Sequence, residues 1–265
     1  MSVATSWIPP GAASFAAVLW LGLCLGSFLN VVIHRLPRGE SLVRPRSHCP
    51  RCGHAVRPWH NLPVLGWIWL RGRCADCRVP IPIRYPLVEL AGGIITLAAA
   101  YACPTPTHSV AALWLLLSMT AVFFIDLDHR IIPDEISLGG TLLGLGLAHW
   151  TIGLISALLG AAAGAGGLLL IRWGYRLTRG RDGMGLGDVK LAAMLGAFLG
   201  LPGLVLTVLF ASLLGSVWGL SLVAIRRGTG LTALPFGSFL APAGMAVLVW
   251  GPQIWRWYMG FFPVR

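Results

Sequence analysis

Two aspartates in this sequence stand where acids are costly. Asp126 ends the apolar string Ala121-Val122-Phe123-Phe124-Ile125, and Asp188 follows Gly183-Met184-Gly185-Leu186-Gly187 at the head of another apolar run. An ionisable group in or beside a membrane-length segment is expensive and marks function. Singly, Asp188 has a plainer use as a helix N-cap, and Asp126 stands at the end of the third apolar stretch. As a pair they say more. Two apolar stretches separate them, one hairpin out and back, so both return to the same membrane face. Two carboxyls close together in a partly dry site share one proton; the pair then activates water while donating to a carbonyl oxygen. That is the chemistry of aspartic proteolysis, and it is expected to fail where neither carboxyl is protonated. Gly185 and Gly187 would let an extended peptide backbone approach the second acid closely.

Four cysteines form a second constellation. Cys49, Cys52, Cys74 and Cys77 read C-x2-C-x21-C-x2-C, two knuckles that can gather four thiolates around Zn2+. Pro50, Gly53, Pro80 and Pro82 supply turn chemistry beside them. The competing reading is two disulfides. Ten arginines between 34 and 85 place the segment in the cytoplasm, where disulfides are rare. A four-thiolate site leaves no open position for water, so the expected metal is structural. His48, His54 and His60 read as loop residues, and Cys24 and Cys103 as small core residues.

The elements that must position these groups are helices in lipid. Of 265 residues, 56% are hydrophobic and 11% charged, with a mean hydropathy of +0.77. So apolar and weakly charged a chain is not disordered, and since a soluble domain carries about 25% charged residues an ordinary soluble globule is nearly excluded as well. Stretches of spanning length fall at about 12–33, 86–103, 109–126, 136–152, 154–171, 189–207, 208–225 and 236–254. The bases test this count. Arginines occur in 34–85, at Arg130, at Arg172, Arg176, Arg179 and Arg181, and at Arg226 and Arg227, while the alternate connections lack Lys and Arg. Only Arg256 and Arg265 break the pattern. About eight transmembrane helices with both termini outside follow, an all-α polytopic membrane protein with a small cytoplasmic zinc-binding loop domain. The expected organisation is a first span in 1–33, the loop domain in 34–85 and the remaining spans, with both acids, in 86–265. The formal charge of +11 is thus a topology signal, and no nucleic-acid partner is expected. The opening MSVATSWIPPG has no basic n-region and does not read as a cleaved signal peptide. Asp134 and Glu135 follow Pro133 and suit the first turn of a helix; Asp128 suits a cap, a pair with Arg130, or chemistry. Glu89 is a lone acid inside the second span.

Four blocks together resemble the type IV prepilin peptidase family of Gly-x-Gly-Asp membrane aspartic proteases. They are Gly26 through Pro37, the cysteine quartet, Asp126 through Asp134 ending Ile132-Pro133-Asp134, and Gly185-Leu186-Gly187-Asp188-Val189-Lys190. The resemblance covers nearly the whole chain. It implies an enzyme of the bacterial inner membrane that cleaves the basic leader of type IV prepilins and type II secretion pseudopilins. The cut falls on the cytoplasmic side after a glycine, with Asp126 and Asp188 catalytic and the quartet binding zinc. It also implies N-methylation of the new terminus by S-adenosylmethionine. Glu89 could serve that methyl-donor site, pair with an arginine, or orient the cysteine loop. Two rivals remain on the residues alone. A proton-coupled transporter would use intramembrane acids, but no repeat is visible and the acids lie at one surface. A non-enzymatic scaffold would leave the paired acids unexplained.

Overall fold

The computed structural model describes residues 7–9, 11–225 and 235–261. Arg226, Arg227 and Arg265, used above to orient the chain, lie outside the described residues. Helices dominate: α1 Ala12–Arg35, α2 Leu65–Trp69, α3 Arg84–Ala102, α4 Pro106–His129, α5 Asp134–Leu147, α6 Leu154–Arg179, α7 Leu186–Ala224 and α8 Gly237–Met259. The chain divides into two compact units, Met1–Leu113 and Trp114–Arg265.

In the first unit α1 packs on α3 through glycine. A Cβ on Gly92 would sit 2.6 Å from the Gly22 carbonyl oxygen, and one on Gly26 would sit 2.6 Å from Glu89 Cα. Lipid tails give helices no hydrophobic drive to associate, so close backbone approach must do so. The Gly26–Pro37 block has further tasks. Asn30 Nδ2 donates to the Tyr85 carbonyl at 3.0 Å, at the start of α3. Arg35 is buried. Its guanidinium donates to the carbonyls of Ser41 and Pro45 at 2.9 and 2.8 Å, so the charge fixes the start of the cysteine loop.

In the second unit the first half of α7 is the hub, with α5, α6 and α8 around it. The buried residues Ala157, Gly160, Gly164 and Leu168 recur at helical spacing and form one face of α6. Gly160 and Gly196 face each other so closely that a Cβ on either would collide with the other's carbonyl, and Gly164 meets the Ala192 carbonyl in the same way. Met194 and Phe198 pack against Gly140 and Gly144 of α5, and Leu195 against Gly244 of α8.

The eight apolar stretches of the sequence correspond to helical segments, with shifted boundaries. The stretches 189–207 and 208–225 are one helix of 39 residues, broken at Gly200, where φ is 66° and ψ −179°. Unbroken, it would run about 58 Å, nearly twice a bilayer's hydrocarbon core. The break thus falls just before Leu201-Pro202-Gly203, the one turn signal in this run and the expected place of a connection near 201–204, although the apolar stretches divide at 207/208. α5 has only 14 residues and continues as the 3-10 turn Ala148–Trp150. Among the described residues, five helices (α1, α3, α4, α6 and α7) are long and apolar enough to cross a membrane. Large apolar side chains on their outer faces, such as Leu158, Leu170 and Trp173 of α6 and Leu213 and Val217 of α7, are exposed. Such surfaces suit lipid.

Overpacking the hub tests this arrangement. Gly196→Val should lower stability by about 3 kcal/mol. Gly167→Val, whose Cβ would enter open space, should change it by less than about 1 kcal/mol. Thermal melting of purified protein in detergent measures both.

Candidate active site and metal centre

α4 carries the first aspartate. Its fully buried strip Leu115, Met119, Val122 and Ile125 leads directly to Asp126, which is 4% exposed. The helix then closes: Arg130 takes a φ of 55° and its N–H donates to the Asp126 carbonyl at 2.9 Å. This turn also brings the Arg130 guanidinium within electrostatic reach of the Asp126 carboxylate. Pro133 precedes α5, with Asp134 and Glu135 in the first turn as expected for negative charge there.

Asp188 sits at the third residue of α7 rather than at its N-cap. The cap is Gly185, and the Asp188 Oδ2 accepts the Gly185 N–H at 3.2 Å. The acid therefore serves its own helix start while remaining buried, 8% exposed. Gly187 has a packing reason: a Cβ there would meet Ile132 Cβ at 3.0 Å. Lys190, one turn on, holds both carboxylate oxygens of Asp134 at 2.7 Å and ties the start of α5 to α7. Both partners are partly exposed, so this pair contributes well under 1 kcal/mol.

Asp126 and Asp188 line one cleft of about 240 Å³, together with Arg130, Asp134, Gly185 and Gly187. The two acids are within electrostatic reach of each other. Two residues of the site carried no signal in the sequence. The Ser238 N–H donates to Asp126 Oδ2 at 2.6 Å, and the Ser238 Oγ donates to the same oxygen at 3.0 Å. The preceding amide, of Gly237, faces Asp188. Consecutive N–H groups at the start of α8 thus meet both acids. A Cβ on Gly237 would stand 3.0 Å from Asp126 Oδ2, so only glycine fits comfortably there.

The cysteine quartet is assembled in the first unit. The sulfurs of Cys49, Cys52, Cys74 and Cys77 all lie within 4.8 Å of one another, and Cys49 and Cys77 sulfurs are 3.7 Å apart. A tetrahedral zinc with bonds of about 2.3 Å needs sulfurs about 3.8 Å apart. No cysteine is in a disulfide. The two knuckles repeat one design. Cys49 N–H donates to the His54 carbonyl and Gly53 N–H to the Cys49 carbonyl; Cys74 N–H donates to the Val79 carbonyl and Arg78 N–H to the Cys74 carbonyl. The fifth residue of each takes a left-handed backbone, Gly53 at φ 73° and Arg78 at φ 59°. Backbone hydrogen bonds from Cys52 and then Arg51 hold the pKa of the Cys49 thiol below its usual value, while the sulfurs crowded around its neighbour Cys52 help to raise that one; four such thiols take the charged form together only beside a compensating cation. The donor set and its geometry fit a structural four-thiolate zinc ion.

Glu89 lies in α3 with its Oε2 accepting the Val64 N–H at 2.7 Å, beside the Ser27 side chain. Val64 caps α2 and has a φ of 62°, a costly conformation for a β-branched residue. The acid therefore grips a strained point of the cysteine loop, and these contacts give no pointer to a methyl donor.

Comparison with known proteins accords with this geometry. Residues 20–103 match the bacterial peptidase A24 N-terminal domain, and residues 112–220 match the type IV leader peptidase family. A prepilin leader peptidase/N-methyltransferase of Aeromonas hydrophila is 40% identical over 276 residues, covering 94% of both chains. The chain belongs to the type IV leader peptidase family. Relatives of the same name in Pseudomonas aeruginosa and Burkholderia pseudomallei are each 40% identical, across 91% of this chain and 92% and 87% of theirs. No solved structure matches. The two family regions separate the two constellations. The quartet and Glu89 lie in the first, and both aspartates in the second. Gly237 and Ser238 fall outside both.

Two substitutions test the metal centre of this leader peptidase. Cys49→Ser should abolish zinc binding and expose 34–85 to proteolysis, since structural zinc contributes folding energy directly. Arg78→Gly should relieve about 1 kcal/mol of left-handed strain, so that more chelator is needed to release zinc. Metal analysis and limited proteolysis read both.

Proposed function

We propose that Asp126 and Asp188 are the catalytic pair with which this membrane enzyme cleaves prepilin and pseudopilin leaders. The observation that carries the assignment is the shared cleft: two buried carboxylates from distant parts of the chain, each supplied with backbone donors. One carboxylate takes a proton from water as the water oxygen attacks the scissile carbonyl. The other carboxyl gives its proton to the carbonyl oxygen, yielding a neutral gem-diol. Collapse of that intermediate returns a hydroxyl proton to the second carboxylate while the first protonates the departing amine. The peptide C–N bond breaks, a new terminus is freed, and the pair is left with one proton as it began. Gly185 and Gly187 border the acids, and their missing side chains suit an extended substrate backbone beside Asp188.

The cysteine quartet, in this reading, holds zinc as a structural ion that folds the 34–85 loop and takes no part in hydrolysis. S-Adenosylmethionine is the proposed methyl donor for the new amino terminus, after the N-methyltransferase name that the relatives carry. Glu89 is assigned here to anchoring the loop. The arginine distribution orients the cleft toward the cytoplasm of a bacterial inner membrane, and a lipid bilayer is the remaining partner. A transporter has no support from the comparisons.

Asp126→Asn and Asp188→Asn should each lower prepilin cleavage in membranes by roughly 100- to 10,000-fold. Normal cleavage by either variant would remove the pair from the mechanism. N-terminal mass analysis of wild-type product, with and without S-adenosylmethionine, should differ by one methyl group.

A further inference from the structure

We propose that Ser238 is the positioning residue of the aspartate pair: through its hydroxyl and its own amide it ties up one oxygen of Asp126 and turns the other toward water. The inference rests on the reading of Asp126 and Asp188 as the reacting acids, and it names what sets their geometry.

The geometry is asymmetric. Asp126 Oδ2 receives two donors from one residue, the Ser238 N–H at 2.6 Å and the Oγ at 3.0 Å. Two donors occupy the lone pairs of that oxygen, so Oδ1 is the atom left to accept a proton from water. The other acceptor near the Ser238 hydroxyl, the Phe123 carbonyl, is 3.5 Å away, and the carboxylate is the better partner. Ser238 is itself buried, 5% exposed, so water does not compete for these bonds. Asp188 lacks such a hydroxyl. Its donors are the Gly185 amide at 3.2 Å and the facing Gly237 amide. The charged groups around Asp126 are Asp188 from α7 and Arg130 from the end of its own helix; Asp134 is paired with Lys190. Ser238 thus provides the one side-chain hydroxyl bonded to either acid among the described residues.

A plain structural tether between α8 and α4 would use the same contacts, and kinetics separate the two. The test uses full-length enzyme in lipid with a prepilin substrate. Ser238→Ala keeps the amide and loses the hydroxyl. Its kcat should fall roughly tenfold, the scale of one hydrogen bond to a charged group, with KM within about twofold of wild type. Losing a donor disfavours the charged carboxylate, so the acid limb of the kcat profile should move toward higher pH. Ser238→Thr restores the hydroxyl and should restore both kcat and the limb. Ser238→Cys, close in size but a weak donor, should fall between, and it stands in for Ser238→Ala should that variant melt early. Wild-type kcat and an unmoved limb in a folded Ser238→Ala or Ser238→Cys enzyme would overturn the proposal. Asp126→Asn and Asp188→Asn run alongside. If they abolish cleavage while the Ser238 variants are normal, only the positioning role falls. If they retain cleavage, the catalytic pair falls first.

Discussion

The constraint on which this structure depends is the burial of two carboxylates at one end of a helix bundle. Neither acid can rely on bulk water there, and an unsatisfied buried charge costs several kcal/mol. The compensation comes from three places: an amide donor in the turn before α7, the amide and hydroxyl donors in the first residues of α8, and the positive charge of Arg130 at the close of α4. All three are helix ends, where backbone N–H groups lack partners within the helix or where the chain turns sharply. The acids therefore satisfy the backbone as much as the backbone satisfies them. Breaking off a helix at that level supplies donors that a continuous helix would have used internally.

Precise placement of the acids then depends on packing that apolar burial cannot provide in lipid. The device throughout is glycine against backbone. Gly160 on Gly196, Gly164 on Ala192 and Gly92 on Gly22 each bring main chains closer than any side chain would permit. Asp188 lies on the first turn of α7, whose next three turns are the most closely surrounded part of the second unit. A rotation or slide of α7 would drive backbone into backbone, so the carboxylate inherits the rigidity of the hub. Gly237 extends the same logic into the site, where a missing Cβ leaves room for Asp126 itself.

Much of this was legible in the sequence because it rested on residue types that are costly where they stand. Asp126 and Asp188 in apolar runs and cysteines at two-residue spacing announce themselves, and the structure brings each set together. Boundaries were less legible. In the long run after Asp188 the turn signal Leu201-Pro202-Gly203 lies directly beside the break at Gly200, whereas the apolar stretches alone divide at 207/208, because a run of Leu, Ala and Gly shows no change of hydropathy where one helix ends. The plainer reading of Asp188 as an N-cap is close in place but not in detail: the glycine three residues earlier is the cap, and a short acid at the third position reaches back to the cap amide. Ser238 could not be found at all. Phe236-Gly237-Ser238-Phe239 looks like any small-residue helix start, and its partner lies 112 residues earlier. Arg78 in a left-handed turn was equally hidden, since only the parallel with Gly53 in the folded knuckle reveals the requirement.

The division of chemistry between the two units follows from coordination and protonation together. A metal can hydrolyse a peptide only through a vacant position that holds water. Four thiolates at tetrahedral spacing leave none, and thiolates lower the residual charge that a zinc ion could lend to a bound water. The 34–85 loop also lacks a large apolar core, with short helices, two isolated bridges and a strained Val64. Such a loop calls for a cross-link, and the proposed zinc would supply one on the cytoplasmic side that the arginines suggest, where a disulfide would not last. Glu89 adds a second clamp by capping the Val64 amide from the helix beneath. The acids, by contrast, need no metal. A proton held between two carboxyls already supplies both a base and an acid, and donors fixed by helix ends decide which oxygen of Asp126 faces the water. In the proposed mechanism hydrolysis thus falls to the unit with buried carboxylates, and the proposed metal to the unit whose loop has little apolar core of its own.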